Sequence, residues 1–168
     1  MSKIIWISSY PKSGNTWMRY FIANYFFNKK RISNPYIIKN IKAFPNTEIL
    51  RKISTKDELI ANPYDISKHW IKSQELIKIE NGNVCFLKNH NALVNIKNHP
   101  FTNEIHSLSC IYIIRDPRDV VVSYAKYKNL SYDRAIKDVC CKELLYVLSK
   151  KYIFPRVDIL GSWKYHFL

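Results

Sequence analysis

Residues 10–19 read YPKSGNTWMR, and the reading of this stretch decides the fold. Just upstream, KIIWIS (residues 3–8) is a short apolar, β-branched run that predicts a buried strand. Downstream, from about Asn15, the residues Trp17, Met18, Phe21, Ile22, Tyr25 and Phe26 recur at helical spacing and predict a helix with one apolar face. The junction holds Lys12, several small polar residues and Gly14, one of only three glycines in the chain. Strand, tight turn and helix N-terminus together make a phosphate-holding geometry. The amides of residues 13–17 would point at the anion, the helix dipole would favour it, and Lys12, Ser13 and Thr16 would add charge and hydroxyl donors. The loop is not the nucleoside-triphosphate pattern G-x-x-x-x-G-K-[ST], because no glycine precedes Gly14 and the lysine comes before it. Taken alone, an ordinary turn between a strand and a helix explains the stretch as well.

A chain of 168 residues, 47% hydrophobic and 14% aromatic, fits one globular domain. No run reaches the roughly 20 apolar residues that span a bilayer, and the N-terminus lacks a signal-peptide pattern, so no membrane insertion and a cytoplasmic location are expected. The net charge of +14 suits an anionic ligand, although the abundance of Lys, Asn and Ile reflects coding composition equally well. The four cysteines show no C-x-x-C spacing; Cys85 and Cys110 sit in apolar runs and are expected in the core, as reduced thiols.

Further along, residues 29–51 read as basic and irregular, broken by Pro35 and Pro45. Thr55 with Glu58 is a capping-box pattern that opens a short helix to about Ala61. A second helix is expected from Ser67 to Ile79, stopped by NGN at 81–83. VCFLK (84–88) and SCIYII (109–114) predict buried strands. Asp116 as N-cap and Pro117 at the first helical position open another helix, and Ser131 opens one from about Tyr132 to Lys151. Strands alternating with helices predict a parallel α/β sheet, in which ligands bind beyond the carboxyl ends of the strands.

The residues after each strand therefore carry the functional reading. After the second strand, Lys88 and His90 are two apart and face the same side of an extended chain. A lysine and a histidine there can stabilise developing charge and take a proton, or can be a plain surface pair. After the third strand, Arg115 and Ser123 could clamp a phosphate, while Arg115 could equally pair with Asp119. His69, His99, His106 and His166 have no comparable setting and read as ordinary.

YPKSGNTW, LKNH and RDPRDVVVSY, each directly after an expected strand, resemble in their order the sulfotransferases that use 3′-phosphoadenosine 5′-phosphosulfate (PAPS). GSWKYH (161–166) is similar to a further segment of those enzymes. The resemblance runs from residue 4 to 166, weakly over about 29–80. It implies a three-layer α/β/α fold with a central parallel sheet, like that of P-loop nucleoside triphosphatases. It implies the 5′-phosphosulfate loop at Lys12, Ser13, Gly14, Asn15, Thr16 and Trp17, with Trp17 against adenine or, by its apolar spacing, in the core. Arg115 and Ser123 correspond to residues holding the 3′-phosphate, His90 to the base and Lys88 to the lysine beside the sulfonate. Asn15 stands where cytosolic animal members usually have threonine.

By the same resemblance the donor is PAPS, the product is 3′-phosphoadenosine 5′-phosphate (PAP), and no metal is required. The acceptor is a small molecule or carbohydrate, and no specific nucleic acid is expected. Lys29, Lys30, Arg31, Tyr36, Phe44 and Trp70 hint at an anionic or carbohydrate-like acceptor, against which stands a merely solvated basic face. The family's domain usually continues past this point with another core strand and a glycine-and-lysine loop. On that comparison residues 1–168 are a single domain incomplete at its C-terminus, with one sheet edge exposed or completed by a homo-oligomer or partner chain. The alternatives are an inactive PAPS- or PAP-binding remnant, an ATP-dependent phosphotransferase and a non-catalytic nucleic-acid binder.

Overall fold

KIIWISS forms β1 (Lys3–Ser9), the strand around which the others assemble. The computed structural model describes residues 3–29, 32, 34–79, 84–148 and 154–166, with the backbone alone for 146–148. β1 pairs in parallel with β3 (Val84–Asn89) on one side and β6 (Ser107–Ile113) on the other. The two-residue β2 (Lys42–Ala43) adds to β3, giving a parallel four-stranded sheet in the order β2-β3-β1-β6. Both faces of β1 are covered, which is why its sequence is continuously apolar instead of alternating. Ile4 and Trp6 enter one core with Phe44, Leu50, Leu59, Ile66, Trp70 and Phe101, and Ile7 enters another with Ile22, Ala23, Ile37 and Ile41. The fold is thus a mixed α/β arrangement with helices on both sides of a central parallel sheet.

Helix α1 (Asn15–Phe27) follows β1. Its packed side is the aliphatic part of the apolar face expected from spacing, extended to Ala23, and not the aromatic part. Ile22 and Ala23 are buried with Met18 beside them, while Trp17, Phe21, Tyr25 and Phe26 are exposed. Both stripes are apolar, and the smaller one fits flush against the sheet. Residues 34–51 are more ordered than their composition suggests. They hold a 3₁₀ turn (Pro35–Asn40), β2, and α2 (Thr47–Ile53), whose N-cap Asn46 accepts from the Glu48 amide at 2.8 Å. Helix α3 (Lys56–Ala61) starts as expected, Thr55 Oγ1 accepting from the Glu58 amide.

The helix expected over 67–79 is instead a 3₁₀ turn (Pro63–His69) leading into the short α4 (Trp70–Glu75). Gln74 is tied sideways to the Phe101 carbonyl at 2.6 Å and to Thr102, and Ile77 turns into the core, so the helix cannot continue. The NGN at 81–83 lies outside the described residues. Two short strands, β4 (Asn95–Ile96) and β5 (His99–Pro100), form a hairpin before β6. β6 is an edge strand, and for that reason Cys110 is exposed rather than in the core; Cys85 is half-buried.

Asp116 caps α5 (Pro117–Lys128) as its spacing predicts, accepting from the Arg118 amide at 2.8 Å. Ser131 caps α6, but α6 spans only Tyr132–Cys140. The apolar LYVL that follows becomes β7 (Leu145–Leu148), paired antiparallel with β8 (Arg156–Ile159). Pairing with β8, the next strand along the chain, overrides the helical reading there; residues 149–153 lie outside the described residues. Among the described residues, no helix is long and apolar enough to cross a membrane.

Candidate functional site

Strand register brings the site together. Ser8 pairs with Asn89 and Ser9 with Ile113, so the chain leaves β3, β1 and β6 along one edge of the sheet. His90, the Tyr10–Lys12 turn and Arg115 follow those three ends. A cleft of about 540 Å³ opens there, lined by Lys12, Gly14, Asn15, Thr16 and Trp17 from the turn and α1, by Lys88 and His90, and by Arg115 and Ser123.

The turn has the conformation an anion site needs. Lys12 (φ 71°) and Gly14 (φ 103°) are both left-handed, and the Ser13 amide closes the turn on the Tyr10 carbonyl at 3.3 Å. At Gly14 the glycine serves the backbone angle and not space, since an added Cβ would meet nothing within 4 Å. Gly14 is the N-cap of α1 without a side-chain hydrogen bond, and the first turn has no acidic residue, so its amides are left to a ligand. The Lys12 ammonium lies 4.3 Å from the centre of the Tyr127 ring.

Two loop residues point elsewhere. Ser13 is buried, and its hydroxyl has no partner among the described residues. Asn15 donates to the Ile7 carbonyl at 2.9 Å and to Ser9 Oγ at 3.2 Å. Its amide braces α1 against β1, so only its backbone N–H faces an anion.

His90 is almost enclosed. Its Nδ1 lies 2.7 Å from the Ser9 carbonyl oxygen, which can only accept, so the proton sits on Nδ1. The other nitrogen, Nε2, is then the basic one. Burial, followed by the charge of Lys88, holds the His90 pKa well below the ordinary histidine value, and the ring is neutral at pH 7. Lys88 is itself lowered to about 8, first by burial and then by Arg156, against the opposing pull of Asp158. Asp158 is fully buried, and burial raises its pKa; it accepts from Asn91 at 3.4 Å and lies 3.6 Å from Arg156.

Across the cleft, Arg115 donates to the Lys12 carbonyl at 3.1 Å and sits 3.6 Å from Asp119. Both positions are open to solvent, so this loose pair leaves the guanidinium available. Arg118 instead folds onto Asp116 at 2.6 Å, which holds that carboxyl down at about 2. Trp17 is 72% exposed, which excludes the core role that its spacing allowed.

The Sulfotransferase domain family model matches residues 2–167. The chain belongs to the sulfotransferase family. No curated protein matches it. In this sulfotransferase-family chain, every residue expected at the site except Ser13 lines the one cleft. The hinted acceptor contacts fare differently. Phe44 and Trp70 are buried in the core, stacked edge-on to Trp6 and Phe101 respectively, while Lys29 and Tyr36 are exposed, and Lys30 and Arg31 lie outside the described residues. One participant was missed by sequence reasoning: His166, taken as ordinary, donates from Nε2 to the His90 carbonyl at 2.9 Å. Its place within GSWKYH was the signal available.

Proposed function

We propose that this chain transfers a sulfuryl group from PAPS to a hydroxyl or amine of a small-molecule or carbohydrate acceptor, with the donor in the cleft at the end of β1. The observation that carries this reading is the convergence of Lys12, Lys88, His90, Arg115 and Ser123 on one cleft beside the uncapped amino end of α1. Its residues fit a bis-anionic nucleotide. The amides of residues 14–17 and Lys12 take the 5′ end, Arg115 and Ser123 the 3′-phosphate, and the face of Trp17 the adenine; the Ser13 amide, expected there from the sequence, is held by the Tyr10 carbonyl.

When bound, PAPS supplies the sulfuryl group and a nucleotide leaving group. His90 Nε2 takes the acceptor's proton, Lys88 offsets charge on the sulfonate oxygens, and Lys12 offsets charge on the departing bridging oxygen. Positioning and charge stabilisation do most of such work.

Calorimetric titrations with PAP and with ATP, without added metal, test the reading. PAP binds, ATP binds more weakly, and Lys12→Ala and Arg115→Ala each weaken PAP binding by about 10–100-fold, as loss of a charged hydrogen bond to phosphate should. Unchanged PAP affinity in both variants would show that both subsites are misassigned. PAP binding without any turnover of PAPS would leave a nucleotide-binding remnant and remove the base role of His90. ATP binding that requires magnesium would favour a phosphotransferase.

A further inference from the structure

Behind His90, away from the cleft, lies a chain of hydrogen bonds that the donor and acceptor roles do not use. Tyr112 on β6 donates its hydroxyl proton to His166 Nδ1. His166 Nε2 donates to the His90 carbonyl at 2.9 Å. The direction of each bond is forced, because a carbonyl only accepts. His166 must therefore carry its proton on Nε2, and its Nδ1 can only accept from the tyrosine. The Tyr10 backbone amide lies beside the Tyr112 hydroxyl and pulls its pKa down, against the burial that raises it. That amide belongs to the same peptide unit whose carbonyl, Ser9 C=O, receives the His90 Nδ1–H at 2.7 Å.

The bonds thus run from Tyr112 through His166 to the His90 backbone, while the His90 ring is tied to the Ser9 carbonyl. They join residues 76 positions apart in sequence. His166 is 2% exposed and its ring packs edge-on to Tyr10 at 5.3 Å, so its bonds are sheltered from solvent. Linked bonds of this kind reinforce one another and fix orientation along the chain.

We infer that Tyr112 and His166 are positioning residues that hold His90 in the Nδ1–H tautomer, with Nε2 presented to the cleft. The inference deepens the proposed function, since it rests on His90 acting as the base, but the tautomer itself is readable without any turnover. Neither residue touches donor or acceptor; they act through the backbone on both sides of the His90 ring. The histidine of the GSWKYH segment thus belongs to the site.

The experiment is nitrogen NMR of the protein labelled at histidine, on wild type, Tyr112→Phe, His166→Phe and His166→Gln, with PAP titrated into each. The expected wild-type spectrum shows His90 as one neutral tautomer, protonated on Nδ1. Tyr112→Phe removes a single oxygen and keeps the fold, but no longer forces the His166 tautomer, so the His90 backbone loses its donor and the ring is free to leave the Ser9 carbonyl; the single-tautomer signature is expected to be lost, with Nε2–H and Nδ1–H forms both populated and PAP affinity unchanged within about two-fold. His166→Phe should do the same, and His166→Gln, whose amide still reaches the carbonyl, should restore it. The inference is overturned if His90 keeps one Nδ1–H tautomer in folded Tyr112→Phe, or if wild type already shows a mixture. PAP failing to bind wild type would instead overturn the nucleotide reading, with the tautomer result standing apart.

Discussion

The two flanks of the cleft are built differently. On the His90 flank, Asn89, His90, Asn91 and Asp158 are buried, and the backbone is cross-tied. Asn91 accepts from the Ile159 amide at 2.8 Å and Asn89 Oδ1 accepts from the Asn91 amide at 2.8 Å. On the Arg115 flank, Thr16, Trp17 and Arg115 are exposed, and β6 behind them is an edge strand. The flank proposed to move a proton is cross-tied without any ligand, as electrostatic catalysis requires. The flank proposed to grip the nucleotide keeps water-exposed side chains free to settle on a ligand. Changes on the first flank should cost chemistry or stability; changes on the second should cost affinity alone.

The sharpest way to break that contrast is His90→Asn. It should slow PAPS turnover by about 10²–10⁴-fold while leaving PAP affinity within about two-fold, measured by PAP release and by calorimetry. Loss of PAP affinity instead would move His90 from the chemistry to the grip. Next, Asn91→Ala strips partners from the Ile159 amide and from the Asp158 carboxyl. Each orphaned group costs about 1–3 kcal/mol, visible as a lower denaturant midpoint, and unchanged stability would refute the rigidity assigned to this flank.

Trp17→Ala makes the complementary test. At 72% exposure it should shift stability by no more than about 0.5 kcal/mol, while PAP binding weakens by about ten-fold through lost stacking on adenine. A large stability loss with intact affinity would reverse the contrast.

The smallest effect is in pH. In the proposed reaction neutral His90 is the active form, and its lowered pKa should put the acid limb of PAPS turnover below the usual histidine range. Lys88 would act protonated, so turnover should fall as pH rises through about 8. Lys88→Arg should remove that alkaline fall, because a guanidinium stays charged. A pH profile unchanged by Lys88→Arg would show that this ammonium does not act.

Local signals in the sequence were read faithfully. β1 leading into α1, Asp116 with Pro117, and Thr55 with Glu58 are decided by residues a few positions apart. Choices settled by distant partners were not legible. The aromatic stripe of α1 and its Ile22–Ala23 side are both apolar, and only the shape of the sheet selects between them. LYVL reads as helix until RVDI offers a strand. In the site, the rule that ligands sit beyond strand ends led to Lys12, Lys88, His90 and Arg115. The inward turn of Asn15 and the part played by His166 depend on carbonyls of Ile7 and His90, which no spacing announces.

The central claim is that Lys12, His90 and Arg115 surround one bis-anionic nucleotide. A crystal structure of the protein with PAP tests it most directly. The account predicts the 5′-phosphate on the amides of residues 14–17 beside Lys12, and the 3′-phosphate between Arg115 and Ser123. PAP bound elsewhere on the surface, or in the cleft with neither phosphate at these groups, would contradict it.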